Sequence, residues 1–140
     1  MSKATDLALL INRKASLQQR FTAAYNLLLL LFNENATYIE TLSQTGTNAP
    51  TSDNIIVNEL DADPITWART GTGTYEGTLT GAFEGKALKN PGGIINPDGN
   101  VLYQLSIADN DTIVLVTTDD GTKADALLSQ TAIVIELVVA

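Results

Sequence analysis

The sequence predicts an α+β protein: a long, coiled-coil-like N-terminal helix that trimerises, followed by an antiparallel β-sandwich or jelly-roll-like body. Three observations carry this. Apolar residues recur at alternating gaps of three and four from Leu7 to Leu42. After Pro50 the texture changes to alternating β-branched residues punctuated by turn signals. Charge is divided unevenly, about +1 over residues 1–48 and −9 over residues 49–140. The implied division is a helical oligomerisation arm at 1–48 and a β body at 49–140, with 49–53 as linker.

The arm comes first. Stepping by three and four gives Leu7, Leu10, Lys14, Leu17, Phe21, Ala24, Leu28, Leu31, Asn35, Tyr38 and Leu42, of which all but Lys14 and Asn35 are apolar. Such an a/d stripe, uninterrupted by Pro or Gly before Gly46, predicts a helix over residues 4–44 that needs partners to bury it. Four of the five e positions are apolar as well (Ile11, Tyr25, Phe32 and Ile39, with Gln18 the exception), and so wide a face favours three or more helices. Assembly is assigned to Leu10, Leu17, Phe21, Leu28, Leu31 and Tyr38, with Asn35 setting register as a buried polar group at an a position. Ser2 or Thr5 is the expected N-cap. The same residues also allow two shorter helices, broken near Asn33–Asn35 and folded back onto a sheet.

The body reads as short strands. Asn54–Leu60, Ile65–Thr70, Thr74–Thr80, Ala82–Leu88, Val101–Ile107, Thr112–Thr118 and Thr131–Val139 are separated by Asp/Asn/Pro/Gly turns, with dense turn signatures on either side of Ile94-Ile95. Lys123–Ser129 carries apolar residues at helical spacing and is expected to form one helical turn. The last strand is apolar on both faces, which suits either the middle of a sheet or a subunit interface.

Composition excludes several functions. Cysteine and histidine are absent, which removes disulfides, thiolate nucleophiles, the usual general base and the commonest zinc ligands. An acidic body argues against nucleic-acid binding, which needs clustered Lys and Arg. The apolar run Leu27–Phe32 is too short to span a membrane, and residues 1–6 lack a signal-peptide pattern, so synthesis in a cytosol is expected. The carboxylate pairs Asp61/Asp63, Asp109/Asp111 and Asp119/Asp120 with Asp125 do not follow a calcium-loop spacing and read as turn residues. Gly71-Thr-Gly-Thr-Tyr-Glu-Gly77 lacks the Lys of a phosphate loop and reads as a strand junction. Trp67, Tyr75, Phe83 and Tyr103 read as core, with sugar stacking as the alternative. No catalytic, metal or cofactor-binding residue is expected.

From Ile65 to Ala140 the order of features resembles the small β modules of tailed-bacteriophage fibre and other virion structural proteins. The residues that carry this are Ile65-Thr-Trp-Ala-Arg-Thr-Gly-Thr-Gly-Thr-Tyr75, Gly81-Ala-Phe83, Asp111-Thr-Ile-Val-Leu-Val-Thr-Thr118, Asp125-Ala-Leu-Leu128 and Thr131-Ala-Ile-Val-Ile-Glu-Leu137. The resemblance implies a trimeric β body on an N-terminal helical stalk, used in virion assembly or attachment.

The function expected is therefore that of a non-enzymatic virion structural protein, a trimeric fibre or attachment-complex component of a bacteriophage. Its partners would be its own copies, other virion proteins and a host surface glycan or receptor, without nucleic acid or membrane insertion. The alternative is a carbohydrate- or receptor-binding β-sandwich module that uses the loops at Asn90–Asn100 and Asp109–Asp111.

Overall fold

The structure, a computed structural model, describes residues 16–33 and 35–140, and of residues 29–33 the backbone alone. The chain divides into two compact units, Met1–Asn35 and Ala36–Ala140, with the break after the first residue of the first strand. Among the described residues there is one helix, α1 (Leu17–Asn33), and ten strands.

The helix begins at a reciprocal cap. The Gln19 amide donates to Ser16 Oγ at 3.2 Å, and the Ser16 amide donates to Gln19 Oε1 at 2.9 Å. This capping box satisfies two backbone donors that a first turn leaves free. Seventeen residues make a helix roughly 25 Å long at about 1.5 Å per residue. The long coiled-coil-like helix expected over 4–44 is therefore corrected. Its expected caps, with Leu7, Leu10 and Lys14, lie outside the described residues, and Asn35, Tyr38 and Leu42 lie in a strand.

That strand, β1 (Asn35–Ser43), has a physical reason. From Asn35 onward the buried positions are Ala36, Tyr38, Glu40 and Leu42, a period of two, with β-branched Thr37, Ile39 and Thr41 between them. A gap of four, as from Tyr38 to Leu42, satisfies a helical stripe and a strand face equally. Only the intervening residues tell them apart.

The remaining strands are β2 (Thr51–Asn58), β3 (Thr66–Gly71), β4 (Thr74–Thr78), β5 (Lys86–Leu88), β6 (Gly92–Ile94), β7 (Val101–Ile107), β8 (Thr112–Asp119), β9 (Thr122–Lys123) and β10 (Thr131–Val139). Sheet one has the order β2-β1-β10-β5, and sheet two the order β3-β4-β8-β7-β6, with β9 beside β8. Every pairing with a resolved register is antiparallel. Tyr38, Leu42, Ile133, Ile135 and Leu137 of sheet one share a single core cluster with Trp67, Tyr75, Tyr103, Leu105, Ile113 and Leu115 of sheet two. The body is thus β-sandwich-like. The apolar last strand, β10, sits inside sheet one between β1 and β5.

Two expected elements differ. Only Lys86–Leu88 of the expected strand Ala82–Leu88 is extended, because residues 79–83 are drawn onto the β7–β8 turn: the Leu79 amide donates to Asp111 O, and the Phe83 amide to Asn110 O. Residues 123–129 form no helical turn. There Ala124 N donates to Thr117 O, and Ala126 adopts a φ of 60°.

Sheet closure depends on glycine where backbones meet. Gly73, at a φ of +56°, turns the β3–β4 hairpin, and a Cβ there would stand 2.6 Å from Thr117 O and 2.7 Å from Ala124 N. Gly73→Ala is expected to destabilise the body by about 3 kcal/mol, through left-handed strain and a collision with immovable backbone. Gly85→Ala, at a similar φ but with open space around it, is expected to cost only about 1 kcal/mol. Urea-unfolding midpoints of the two variants check the difference.

Candidate functional site

The densest polar constellation lies at one end of the sandwich, where the β3–β4 hairpin meets the segment between β9 and β10. Arg69 Nε and Nη2 donate to Asp125 Oδ1 and Oδ2 at 3.1 and 2.8 Å, a two-pronged ion pair. The Gly73 amide also donates to Oδ1, at 3.0 Å. The Tyr75 hydroxyl lies 3.1 Å from both Asp125 Oδ1 and Gln44 Oε1, so its one proton serves either acceptor in turn. Gln44, just past the end of β1, accepts the Ala126 amide on the same oxygen and donates through Nε2 to Gly46 O and Asn48 O, at 2.7 and 3.0 Å.

The electrostatics follow from these partners. The Arg69 guanidinium, with the Gly73 amide and the Tyr75 hydroxyl, holds the Asp125 carboxyl down at about 2. Burial pushes the Tyr75 hydroxyl up to about 12, with the Asp125 carboxylate adding to the shift. Chemically this is a clasp. Asp125 is ionised and committed to its donors, and neither a nucleophile nor a proton-transfer pair is within it.

A second constellation is internal. Glu40 is wholly buried on the inward face of β1, where Trp67 Nε1 donates to its Oε1. Its Oε2 has no partner among the described residues. The Ile65 amide donates to the Tyr38 hydroxyl at 3.2 Å, and burial pushes that hydroxyl up to about 12, Glu40 contributing. A carboxyl among apolar strands is costly to bury, and the indole bond offsets part of that cost. Sequence reasoning missed Glu40 because a helical reading of 4–44 gave it no inward direction; Tyr38, Glu40 and Leu42 at a period of two were the signal.

The residues expected to drive assembly separate into groups. Leu17, Phe21 and Leu28 lie on α1 and are 71, 68 and 51% exposed, with Tyr25 on the same face at 63%. Leu31 lies on α1 without a described side chain, and Leu10 lies outside the described residues. Asn35 and Tyr38 are corrected. Asn35 is the exposed first residue of β1, and Tyr38 is sealed in the sandwich core, so neither belongs to a helical seam.

The loop residues divide as well. Asp109 Oδ1 accepts the Asp111 amide at 2.9 Å within one turn, whereas Asp111 Oδ1 accepts the Gly81 amide at 2.7 Å and Asp119 Oδ1 accepts Asn100 Nδ2 at 2.8 Å, tying loops that are distant in sequence. Among the described residues no group of three or more acidic side chains is placed to hold a metal ion, and no helix is long and apolar enough to cross a membrane. Trp67, Tyr75, Phe83 and Tyr103 are all buried. On the outer face of sheet two, an open trough of about 550 Å³ runs along β6 and β7, from Asn90 and Gly92 across Gln104 and Ser106 to Val116. It includes the start of the expected Asn90–Asn100 contact region and is lined without a charged side chain.

The chain matches no known protein-family model, no curated protein and no solved structure.

Asp125→Asn is expected to cost about 2 kcal/mol, because it breaks the charge-assisted pair with Arg69. The folded carboxyl sits below its unfolded value of 3.8, so its contribution is complete above about pH 4 and is lost as pH falls towards 2. Asp125→Asn should flatten that acid limb in urea midpoints taken between pH 5 and pH 2. At the other extreme, Tyr38 and Tyr75 keep their protons to about 12 when folded but release them near 10 when unfolded. Their contribution should therefore be present below pH 10 and decline above it, visible as falling midpoints between pH 9 and pH 11.5.

Proposed function

We propose that this chain is a non-enzymatic structural protein that self-associates through α1 and presents the β body, as a component of a bacteriophage virion fibre or attachment complex. One observation carries the self-association: Leu17, Phe21, Tyr25 and Leu28 are four large, exposed apolar side chains on one helix face. At about 100° per residue they fall within an arc of roughly 80°. Monomeric proteins rarely leave such a stripe in water, and a second copy offers a matching one. Leu17, Phe21, Ala24, Leu28 and Leu31 supply the a and d positions, and Tyr25 at e widens the face towards a homotrimer.

The virion setting rests on the resemblance of the β body. Arg69, Gly73, Tyr75 and Asp125, which build the clasp, are among the residues that carry that resemblance. The mode of action is mechanical and multivalent: several bodies held together engage one surface, and binding gains from effective concentration without a strong single site. A second reading, a carbohydrate- or receptor-binding module, is favoured by the uncharged trough along β6 and β7.

Mass by light scattering on a sizing column, across a range of concentrations, tests the reading. Three chains' mass is expected for the wild type. Leu28→Asp should bring it down towards 14.9 kDa, since a carboxylate in an apolar seam is left unpaired. A wild-type mass of one chain at every concentration would refute self-association. In that case a glycan array becomes the deciding measurement for the trough.

A further inference from the structure

Resting on the second reading above, that the β body is a binding module, we propose that the trough along β6 and β7 holds a neutral saccharide. Asn90, Gln104 and Ser106 would bond its hydroxyls. The trough has a cause in the packing of the sheet. β6 is a three-residue edge strand whose first two residues, Gly92 and Gly93, carry no side chain. A Cβ at Gly92 would stand 2.3 Å from Tyr103 O, and one at Gly93 would stand 2.7 Å from the Tyr103 ring. Close approach therefore keeps both positions bare, and a gap stays open between Asn90 and Ile94. The ladder sets the chemistry around it. Gly92 lies opposite Gln104, Gln104 opposite Val116, and Ile94 opposite Leu102. The Leu105 amide donates to Pro91 O, so the same register continues and sets Asn90 beside Ser106. Tyr103 and Leu105 are buried, which turns Leu102, Gln104 and Ser106 outward. Two amides and a hydroxyl thus gather at one end of the trough, and aliphatic Ile94 and Leu102 at the other.

Bonding and charge select the occupant. Among the described residues, the side chains of Asn90, Gln104 and Ser106 make no hydrogen bond within the protein. Gln44, Asn58, Asn96 and Asn100, by contrast, commit their amides to holding loops and turns. Each unbonded amide or hydroxyl offers donor and acceptor together, the pattern that sugar hydroxyls match. The aliphatic side chains beside them suit the C–H face of a pyranose ring. No charged side chain lines the trough, so a carboxylate, phosphate or ammonium entering it would lose water without gaining a partner. Residues 36–140 carry fourteen acidic and four basic side chains, which repel anionic ligands further out. A peptide adding as a strand finds little backbone, because β6 has three residues and Pro91 beside it has no amide proton. A neutral, polyhydroxylated ligand is what satisfies these constraints together. The volume of about 550 Å³ is of ligand-site size, and its openness makes each contact weak, as multivalent display requires.

The test is an amide NMR titration of the isotope-labelled full chain with the methyl glycosides of glucose, galactose, mannose, rhamnose and N-acetylglucosamine. Each is taken to about 50 mM, enough to register millimolar binding. At least one should shift the amides of Gly92, Gly93 and Gln104 while those of β1 and β2 stay in place. The double variant Gln104→Ala/Ser106→Ala should bind that sugar about tenfold more weakly, since two hydrogen bonds are lost. Asn54→Ala removes an exposed amide on β2, far along the chain from the trough, and should leave the affinity unchanged. A thermal melt confirms that each variant is folded. Silence of the trough amides towards all five glycosides, or equal affinity in the double variant, would overturn the proposal. Shifts confined to other loops would overturn the trough and leave a carbohydrate-binding body standing. Equal binding of N-acetylneuraminic acid would overturn the selection for neutral sugars. Shifts produced only by an acetylated, amidated tetra-alanine would reassign the trough to a peptide. Mass read on the same samples keeps self-association separate, because a trimer with a silent trough loses this site alone.

Discussion

The four donor contacts on the Asp125 carboxylate hold together one end of the sandwich. Through Arg69, Gly73 and Tyr75 they reach the β3–β4 hairpin of sheet two, and through the shared Tyr75 hydroxyl they reach Gln44 at the end of β1 in sheet one. The same Gln44 accepts the amide of Ala126 and so fixes the backbone beside Asp125 itself. The loop is closed: each group orients the next, and none is left to swing. The Ala126 backbone, at a positive φ that an L side chain disfavours, persists because this network over-determines it.

Around that clasp the core is made by strand alternation. Inward residues of both sheets interdigitate, and the large rings are admitted where glycine stands opposite. A Cβ at Gly77 would press on Ile65 and Trp67, and one at Gly93 would press on the Tyr103 ring. Burying aromatic rings this way removes them from any surface role, and the acidic turns spend their carboxylates on backbone amides. Among the described residues, large exposed apolar side chains gather on one face of α1, and the outer face of sheet two is mostly uncharged.

Much of the body was legible before any coordinates. Val101–Ile107 and Thr131–Val139 appear with the expected bounds, and β3, β4 and β8 lie within one or two residues of theirs, since alternation and turn residues are local signals. The site was much less legible. Arg69 and Asp125 are 56 residues apart in sequence, and Gln44 and Ala126 are 82 apart, so no spacing announces that they meet. Lys123–Ser129 misled for the same reason. Its apolar spacing is helical, but distant hydrogen bonds outweigh a propensity worth only tenths of a kcal/mol per residue.

The sequence by itself determined that a helix with an apolar stripe through Leu17, Phe21 and Leu28 precedes a β-rich acidic body free of cysteine and histidine. Periodicity and composition are properties of neighbours along the chain. Only the tertiary structure decided where the helix ends and β1 begins, because a gap of four fits both periods until Glu40 and Tyr38 are seen facing Trp67 and Ile65 across the core. It alone decided which side chains form the clasp, because that depends on strand order, and strand order is set by contacts between residues far apart in the chain.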